Sequence, residues 1–332
     1  MPARRIIGVD LGGTKLLAGA VDPRLGVHHR AQRAVTGLDQ STLLDVAVDA
    51  VQEVRESAGG DVEAVGFGIP CLIEYRTGIA VIAVHLPLED IAFADVMAER
   101  LGLPVFVDND GNAAALAEHR AGAARGASEA LVMTLGTGIA GGLILRGELY
   151  RGAAGFGAEL GHVVIEMDGP HHDGHCQNRG CVEAFASGSA LAREASRIAV
   201  ERPESALARA ARGGLELAGP LVTELAHDGD PAAIEAVSLI GSRLGVAIAS
   251  LVNIFNPEVV VIGGGVIAAG ELLLAPARAE VARRALAPSR DSVRIVAARF
   301  GVEAGMIGAA ALAFDRLAEA KAEADGEAEA AS

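Results

Sequence analysis

The sequence predicts an α/β fold in two domains. Three observations lead there. Short apolar runs that end in glycine turns alternate with segments whose apolar residues recur at helical spacing. A glycine-rich strand–turn–strand element occurs near the N-terminus and again after residue 134, one in each half. The chain has 332 residues, and at roughly 100–200 residues per domain that length suits two.

The elements follow in order. Residues 4–10 (RRIIGVD) form a short apolar strand that ends at Gly12-Gly13, and 15–21 resume as a second strand. Two strands joined by Gly-Gly read as a hairpin. That opening argues against a simple βαβ start. A third strand spans 27–35. Over 41–57, Leu44, Val48, Val51 and Val54 fall at helical spacing, with Ser41 as the expected N-cap. Residues 62–69 are a buried strand, 91–101 a helix, 104–108 a strand and 111–121 a helix. The second half opens with strands over 130–135 and 138–146. A loop rich in His and Cys spans 162–181, and several helices follow. The clearest, 231–253, opens on Asp230-Pro231, an N-cap followed by proline at the first helical position. A strand over 259–262 enters Gly263-Gly264-Gly265, and the last periodic segment is about 303–317. Beyond it, alanine and glutamate with little else apolar predict a disordered acidic tail over 318–332. No internal repeat of 20–50 residues is visible.

Composition narrows the function. Hydrophobic residues make up 51% and aromatics 3%, with no Trp, so the core must be built from Ala, Val, Ile and Leu. The formal charge is −15, and the tail accounts for only −4 of it, through five acids against Lys321. An acidic body argues against nucleic acid as a partner. No apolar run approaches the ~20 residues of a membrane span, and no signal peptide is expected. Three Cys without a signal suggest a cytoplasmic chain with thiols rather than a disulfide scaffold.

Five constellations could carry chemistry. In DLGGTK, the turn at Gly12, Gly13, Thr14 and Lys15 exposes amides that can hold phosphate oxygens, and Asp10 at the strand end could hold hydrated Mg2+. An ordinary Gly-Gly hairpin has the same letters. TLGTGIAGG from Thr134 contains GxGxxG, but a strand follows where the dinucleotide fingerprint needs a helix. Thr137 and Gly138 are therefore the turn of a second hairpin, and two such turns could pinch a triphosphate. VVVIGGGV from Val259 resembles a flavin or NAD fingerprint, but only 67 residues follow Gly265. A glycine turn against an adenine, through Gly263, Gly264 and Gly265, is the better reading. In VDNDGN, Asp110 lies where a strand becomes a helix. Asp110 or Asn109 can be simply an N-cap, or Asp110 a general base at the carboxyl end of a strand. Last, His162, His171, His172, His175, Cys176, Cys181 and Glu183 crowd into about twenty residues. The set His162, His172, Cys176 and Cys181 offers two nitrogens and two sulfurs, which suits a closed, structural zinc site; His171 and His175 remain open for the second His.

Taken together, DLGGTK at Asp10, NDGNAAALAE at Asn109, TLGTGIAGG at Thr134, ELGH at Glu159, NRGCVE at Asn178 and NPEVVVIGGGV at Asn256 resemble the ROK family, closest to its bacterial ATP-dependent glucokinases. The resemblance covers Ile6 to about Leu317. It implies the actin-like ATPase fold, hexokinase-type and ribonuclease H-like, with ATP in a cleft between two domains. The domains would be a smaller one over 1–108, completed by the helix at 303–317, and a larger one over 109–302 with its zinc loop. It further implies Asp110 as catalytic base, and Asn109, Glu159, His162 and Glu183 as sugar-hydroxyl binders, with His162 also a zinc ligand. The activity implied is phosphorylation of a hexose at its 6-hydroxyl with Mg2+ and ATP, glucose first and N-acetylglucosamine, N-acetylmannosamine, mannose or fructose as alternatives. A homodimer or homotetramer is implied as well. Family regulators carry an N-terminal helix-turn-helix domain, whereas the phosphate hairpin here begins by residue 10. Three departures stand out. His172 replaces a cysteine of the family's metal loop, Cys71 replaces a usual glycine, and His85 a usual asparagine.

Overall fold

A computed structural model describes residues 4–59, 62–83, 86–172, 174 and 176–330, with side chains through Ala322. It falls into two compact units. The first comprises Met1–Ala121, Leu149–Ala158 and Glu303–Ser332, and the second Gly122–Glu148 and Glu159–Val302. The C-terminal helix thus joins the first unit, and the boundary falls after residue 121 rather than after 108.

The first unit contains β1 (Arg5–Leu11), β2 (Lys15–Val21), β3 (Val27–Ala34), α1 (Gln40–Ser57), β4 (Val62–Ile69), β5 (Cys71–Glu74), β6 (Ile79–Ala83), β7 (Glu89–Ile91), α2 (Phe93–Leu101), β8 (Val105–Asn109) and α3 (Asp110–Ala121). Its main sheet runs β3-β2-β1-β4-β8. The first three strands form an antiparallel meander, and β4 and β8 add in parallel. β5, β6 and β7 make a small antiparallel sheet that the sequence pattern did not show. Strands of three to five residues are too short to display a period. Because Glu89–Ile91 pairs with β6, α2 begins at Phe93 rather than at 91. α1 is capped by Asp39, not Ser41: the Asp39 carboxylate accepts from Thr42 N at 2.8 Å. Asp and Ser cap about equally well, and here the helix starts one residue earlier than expected.

The second unit contains β9 (Ala130–Leu135), β10 (Ile139–Leu145), the first residue of β11 (Glu148–Tyr150), α4 (Val182–Ala186), α5 (Gly188–Glu201), α6 (Ala206–Arg212), α7 (Gly219–His227), α8 (Pro231–Phe255), β12 (Val259–Gly263), α9 (Glu271–Arg284), α10 (Ser289–Ser292) and β13 (Arg294–Ala297). Its sheet runs β11-β10-β9-β12-β13, with β12 parallel to both β9 and β13. The strand order is that of the first sheet, so one topology occurs twice. α8 begins as expected, with Asp230 accepting from Ala233 N at 3.0 Å and Pro231 at N1. By length and composition alone it could cross a membrane, but Glu235 and Arg243 interrupt its apolar residues and 56% of its most apolar window is buried. Gly241 and Gly245 let α9 approach, since a Cβ at either would meet main-chain oxygens of Leu273 or Ala277.

The chain closes with α11 (Ala304–Ala330), which returns to the first unit. The disordered tail expected from 318 is helical to Ala330. Alanine and glutamate are strong helix formers, and a run of them continues a helix that has already nucleated on packed residues. α11 lies very close to the sheet and to α3. A Cβ at Gly8 would strike Met306 O, one at Gly66 would strike Ala309 O, and one at Gly308 would strike Ala113 O. These glycines set how closely the backbones pack, which matters because α3 carries Asp110 at its start.

Candidate functional site

In the first unit, β1 and β8 carry candidate residues Asp10 and Asn109 at their carboxyl ends. β8 terminates at Asn109, and α3 starts at Asp110. The Asn109 Oδ1 accepts from Gly111 N at 2.8 Å and from Asn112 N at 3.3 Å, so Asn109 is the helix cap. Its Nδ2 points the other way and donates to Cys71 O at 3.4 Å. That leaves Asp110 free of the capping task. Its Oδ1 accepts the neighbouring Gly111 N–H at 2.9 Å. Burial pushes the Asp110 carboxyl up to about 6, against the pull of the Gly111 and Asp110 main-chain N–H groups. Asp10, the penultimate residue of β1, is pushed up to about 7, first by burial and then by the charge of Asp110, with Lys15 opposing. Two interacting carboxyls of raised pKa at strand ends are the arrangement expected of a functional site.

The turn after β1 is tight. Gly12 N donates to Lys15 O at 2.9 Å, so its amide closes the hairpin. Thr14 and Lys15 stand exposed at the tip, with Gly13 half-buried beside them. Cys71 is buried and its thiol is pushed up to about 11 by that burial, so it presents a carbonyl to Asn109 rather than a reactive thiolate.

One feature of this corner was not legible as a site residue. Asp108 is 2% exposed and pairs with Arg151 Nε at 2.6 Å. Its other oxygen accepts from Asn109 N and from Asn112 Nδ2, both at 2.8 Å. The Arg151 guanidinium in turn lies 5.7 Å from the Tyr75 ring. A charged residue inside a strand pattern, as in VDND, was the available signal.

In the second unit, the turn between β9 and β10 abuts the start of α5. Gly136 N donates to Gly138 O at 2.9 Å, Gly188 N to Gly136 O at 2.7 Å, and Ser189 Oγ to Thr137 O at 2.9 Å. A Cβ at Gly138 would collide with the Glu183 carboxylate. Gly264 adopts φ +80° against the backbone of Leu135, a position open only to glycine. Gly263 ends β12 and Gly265 precedes a short 3-10 turn, Val266–Ala269.

The Cys/His loop folds into one cluster. One ligating atom from each of His162, His172, Cys176 and Cys181 lies within 4.8 Å of the others. The two sulfurs are 3.8 Å apart. Two thiolates about 2.3 Å from one tetrahedral ion would lie about 3.8 Å apart, whereas a disulfide needs about 2 Å. His162 Nδ1 is buried with no hydrogen-bond partner, and burial holds the ring below its usual pKa, in the neutral form that ligates metal. This donor set suits zinc. His171 lies outside the cluster, and His175 and His85 lie outside the described residues. Glu183 borders the cluster: its Oε1 is 2.6 Å from His172 Nδ1, and its Oε2 accepts from Ile139 N at 2.5 Å. Glu159 is 38% exposed, with an oxygen 3.8 Å from His162 Nε2.

The chain belongs to the ROK family, whose model matches residues 6–316. Within it the chain is 36% identical over 320 residues to a glucokinase of Thermotoga maritima, covering 96% of this chain and 99% of that one. It is 34% identical to a glucokinase of Streptomyces coelicolor, over 92% of this chain and 96% of the relative. Among solved structures it resembles a ROK family glucokinase from Streptomyces griseus in complex with glucose and AMPPNP. The TM-score is 0.85 at 36% identity, over 93% of this chain and 98% of that chain.

Proposed function

We propose that the protein transfers the γ-phosphoryl group of Mg-ATP to glucose, at its 6-hydroxyl, with Asp110 as general base. The observation that carries this reading is Asp110 itself. It is a carboxyl at the carboxyl end of β8, released from capping by Asn109 and pushed up to about 6 by burial, in a chain closely similar to glucokinases. A base with that pKa is ionised at neutral pH yet basic enough to take a proton. Asp110 accepts the hydroxyl proton as the sugar oxygen attacks the γ-phosphorus; the leaving group is ADP.

The remaining residues position and neutralise. The Nδ2 of Asn109 with Glu159, His162 and Glu183 hold the other sugar hydroxyls. Asp10 holds the hydrated Mg2+ that accompanies ATP. Gly13, Thr14, Thr137 and Gly138 offer amides to phosphate oxygens, Lys15 adds positive charge, and Gly12 keeps the first turn closed. Gly263, Gly264 and Gly265 pack against the adenine. His162, His172, Cys176 and Cys181 hold a structural zinc. Such a closed four-ligand site supplies rigidity to the loop and no catalytic water.

ADP release with Mg-ATP, measured against glucose, mannose, fructose, N-acetylglucosamine and N-acetylmannosamine, tests the reading. Strong preference for glucose is the expected result. Preference for another sugar would keep the mechanism and change the substrate. Turnover with none of them would overturn the proposal.

A further inference from the structure

His172 sits in the Cys/His cluster as an imidazole, which offers an atom that a cysteine ligand lacks. An imidazole has two nitrogens, so one can ligate a metal while the other makes a hydrogen bond. His172 Nδ1 lies 2.6 Å from Glu183 Oε1, and the ring is only 5% exposed. The His162 and His172 rings sit 5.1 Å apart, with Cys176 and Cys181 completing the cluster. Glu183 is held on its other oxygen by the Ile139 amide, on the turn that begins β10. The result is a carboxylate–histidine–metal relay, in which the carboxylate fixes the tautomer and orientation of the ligating ring.

We propose that His172 is a positioning residue for sugar binding: it ligates zinc through Nε2 while Nδ1–H holds Glu183 in the orientation that receives the sugar. The proposal rests on the assignment of Glu183 to the sugar. In this chain the carboxylate is thus clamped between a main-chain amide and a metal-bound ring. A cysteine ligand has no second polar atom and could clamp nothing. Zinc occupancy and glucose affinity are then linked through one side chain, and the linkage is reciprocal: glucose tightens zinc binding by the same factor as zinc tightens glucose.

The test is His172→Cys, which keeps a zinc ligand and removes the Glu183 partner. Zinc content is measured by elemental analysis and glucose affinity by calorimetry, on wild type and variant. The expected result is one zinc per chain in both, with glucose bound about tenfold more weakly by the variant, the lower end of effects seen when an outer partner of a metal ligand is removed. Unchanged glucose affinity with zinc retained would overturn the proposal. Loss of zinc would also overturn it, because a thiolate should replace an imidazole as ligand. Should the variant not fold, the wild-type protein still decides. A slowly exchanging imidazole N–H resonance, downfield in the proton spectrum of the zinc-loaded protein and shifted by glucose, is expected; its absence refutes the Nδ1–H bond. If wild type binds no glucose at all, the functional reading fails, and the downfield resonance alone still reports on the zinc–His172–Glu183 arrangement.

Discussion

Replacing Asp110 by Asn separates the chemical role of this carboxyl from its cost to the fold. The amide is nearly isosteric and its Oδ1 can still accept the Gly111 N–H that the carboxylate accepts at 2.9 Å. Asn109, not Asp110, caps α3, so the helix start is untouched. Loss of the base should lower kcat by about 10²–10⁴-fold, or about 3–5 kcal/mol of barrier. Stability should move the other way. Burial holds the folded carboxyl at about 6, whereas an unfolded chain titrates near 3.9. A raised carboxyl contributes no penalty below pH 4, where both states are protonated. The penalty grows as pH rises from 4 to 6 and is complete above it, at most roughly 3 kcal/mol for a shift of two units and less where solvent reaches the group. Removing the charge also relieves Asp10, whose carboxyl is raised in part by Asp110. Asp110→Asn should therefore be nearly inactive yet more resistant to urea than wild type at pH 8, with the gain vanishing near pH 4. Steady-state ADP release and urea titrations at the two pH values measure both halves. Near-wild-type turnover would remove Asp110 from the mechanism, and equal stability at pH 8 would show that burial of its charge is not costly.

The same shift predicts that kcat/KM for glucose falls as pH drops through about 6, because protonation removes the base; a flat profile from pH 5 to 8 would contradict it. Gly308→Ala should destabilise the first unit by at least about 1–3 kcal/mol, since its Cβ would strike the Ala113 carbonyl and push α11 off α3; an unchanged urea midpoint would show that the two helices slide apart freely. Arg151→Met leaves the buried Asp108 carboxylate without its cation and should cost about 3–5 kcal/mol. Adding Asp108→Asn to that variant should restore part of the loss, and failure to restore any would place the role of Arg151 in packing on Tyr75 instead.

What the sequence reveals and what it hides follow from the range of each interaction. The hairpin of β1 and β2, the parallel strand β4 and the capped start of α8 are local: a Gly-Gly turn, an apolar run and Asp230-Pro231 each act within a few residues, and each is present in the structure. The Cys/His cluster was readable for a related reason, since unusual donors crowded into a short loop have few other uses. The repeated strand order was not readable, because it lies in which strands pair across the sheet and not in any periodicity along the chain. The Asp108–Arg151 pair spans 43 residues and depends on the segment Leu149–Ala158 returning to the first unit; no spacing rule reaches that far. Asn109 shows the limit most plainly. A cap at Asn109 or Asp110 and a general base at Asp110 were rival readings of one motif, but a carboxamide has two ends. Its oxygen caps α3 while its nitrogen faces Cys71 O, so the capping rule is met by one atom and the other end of the side chain is turned elsewhere. Division of labour within a side chain is invisible at the level of residue letters. It also leaves the next residue, Asp110, without a capping task.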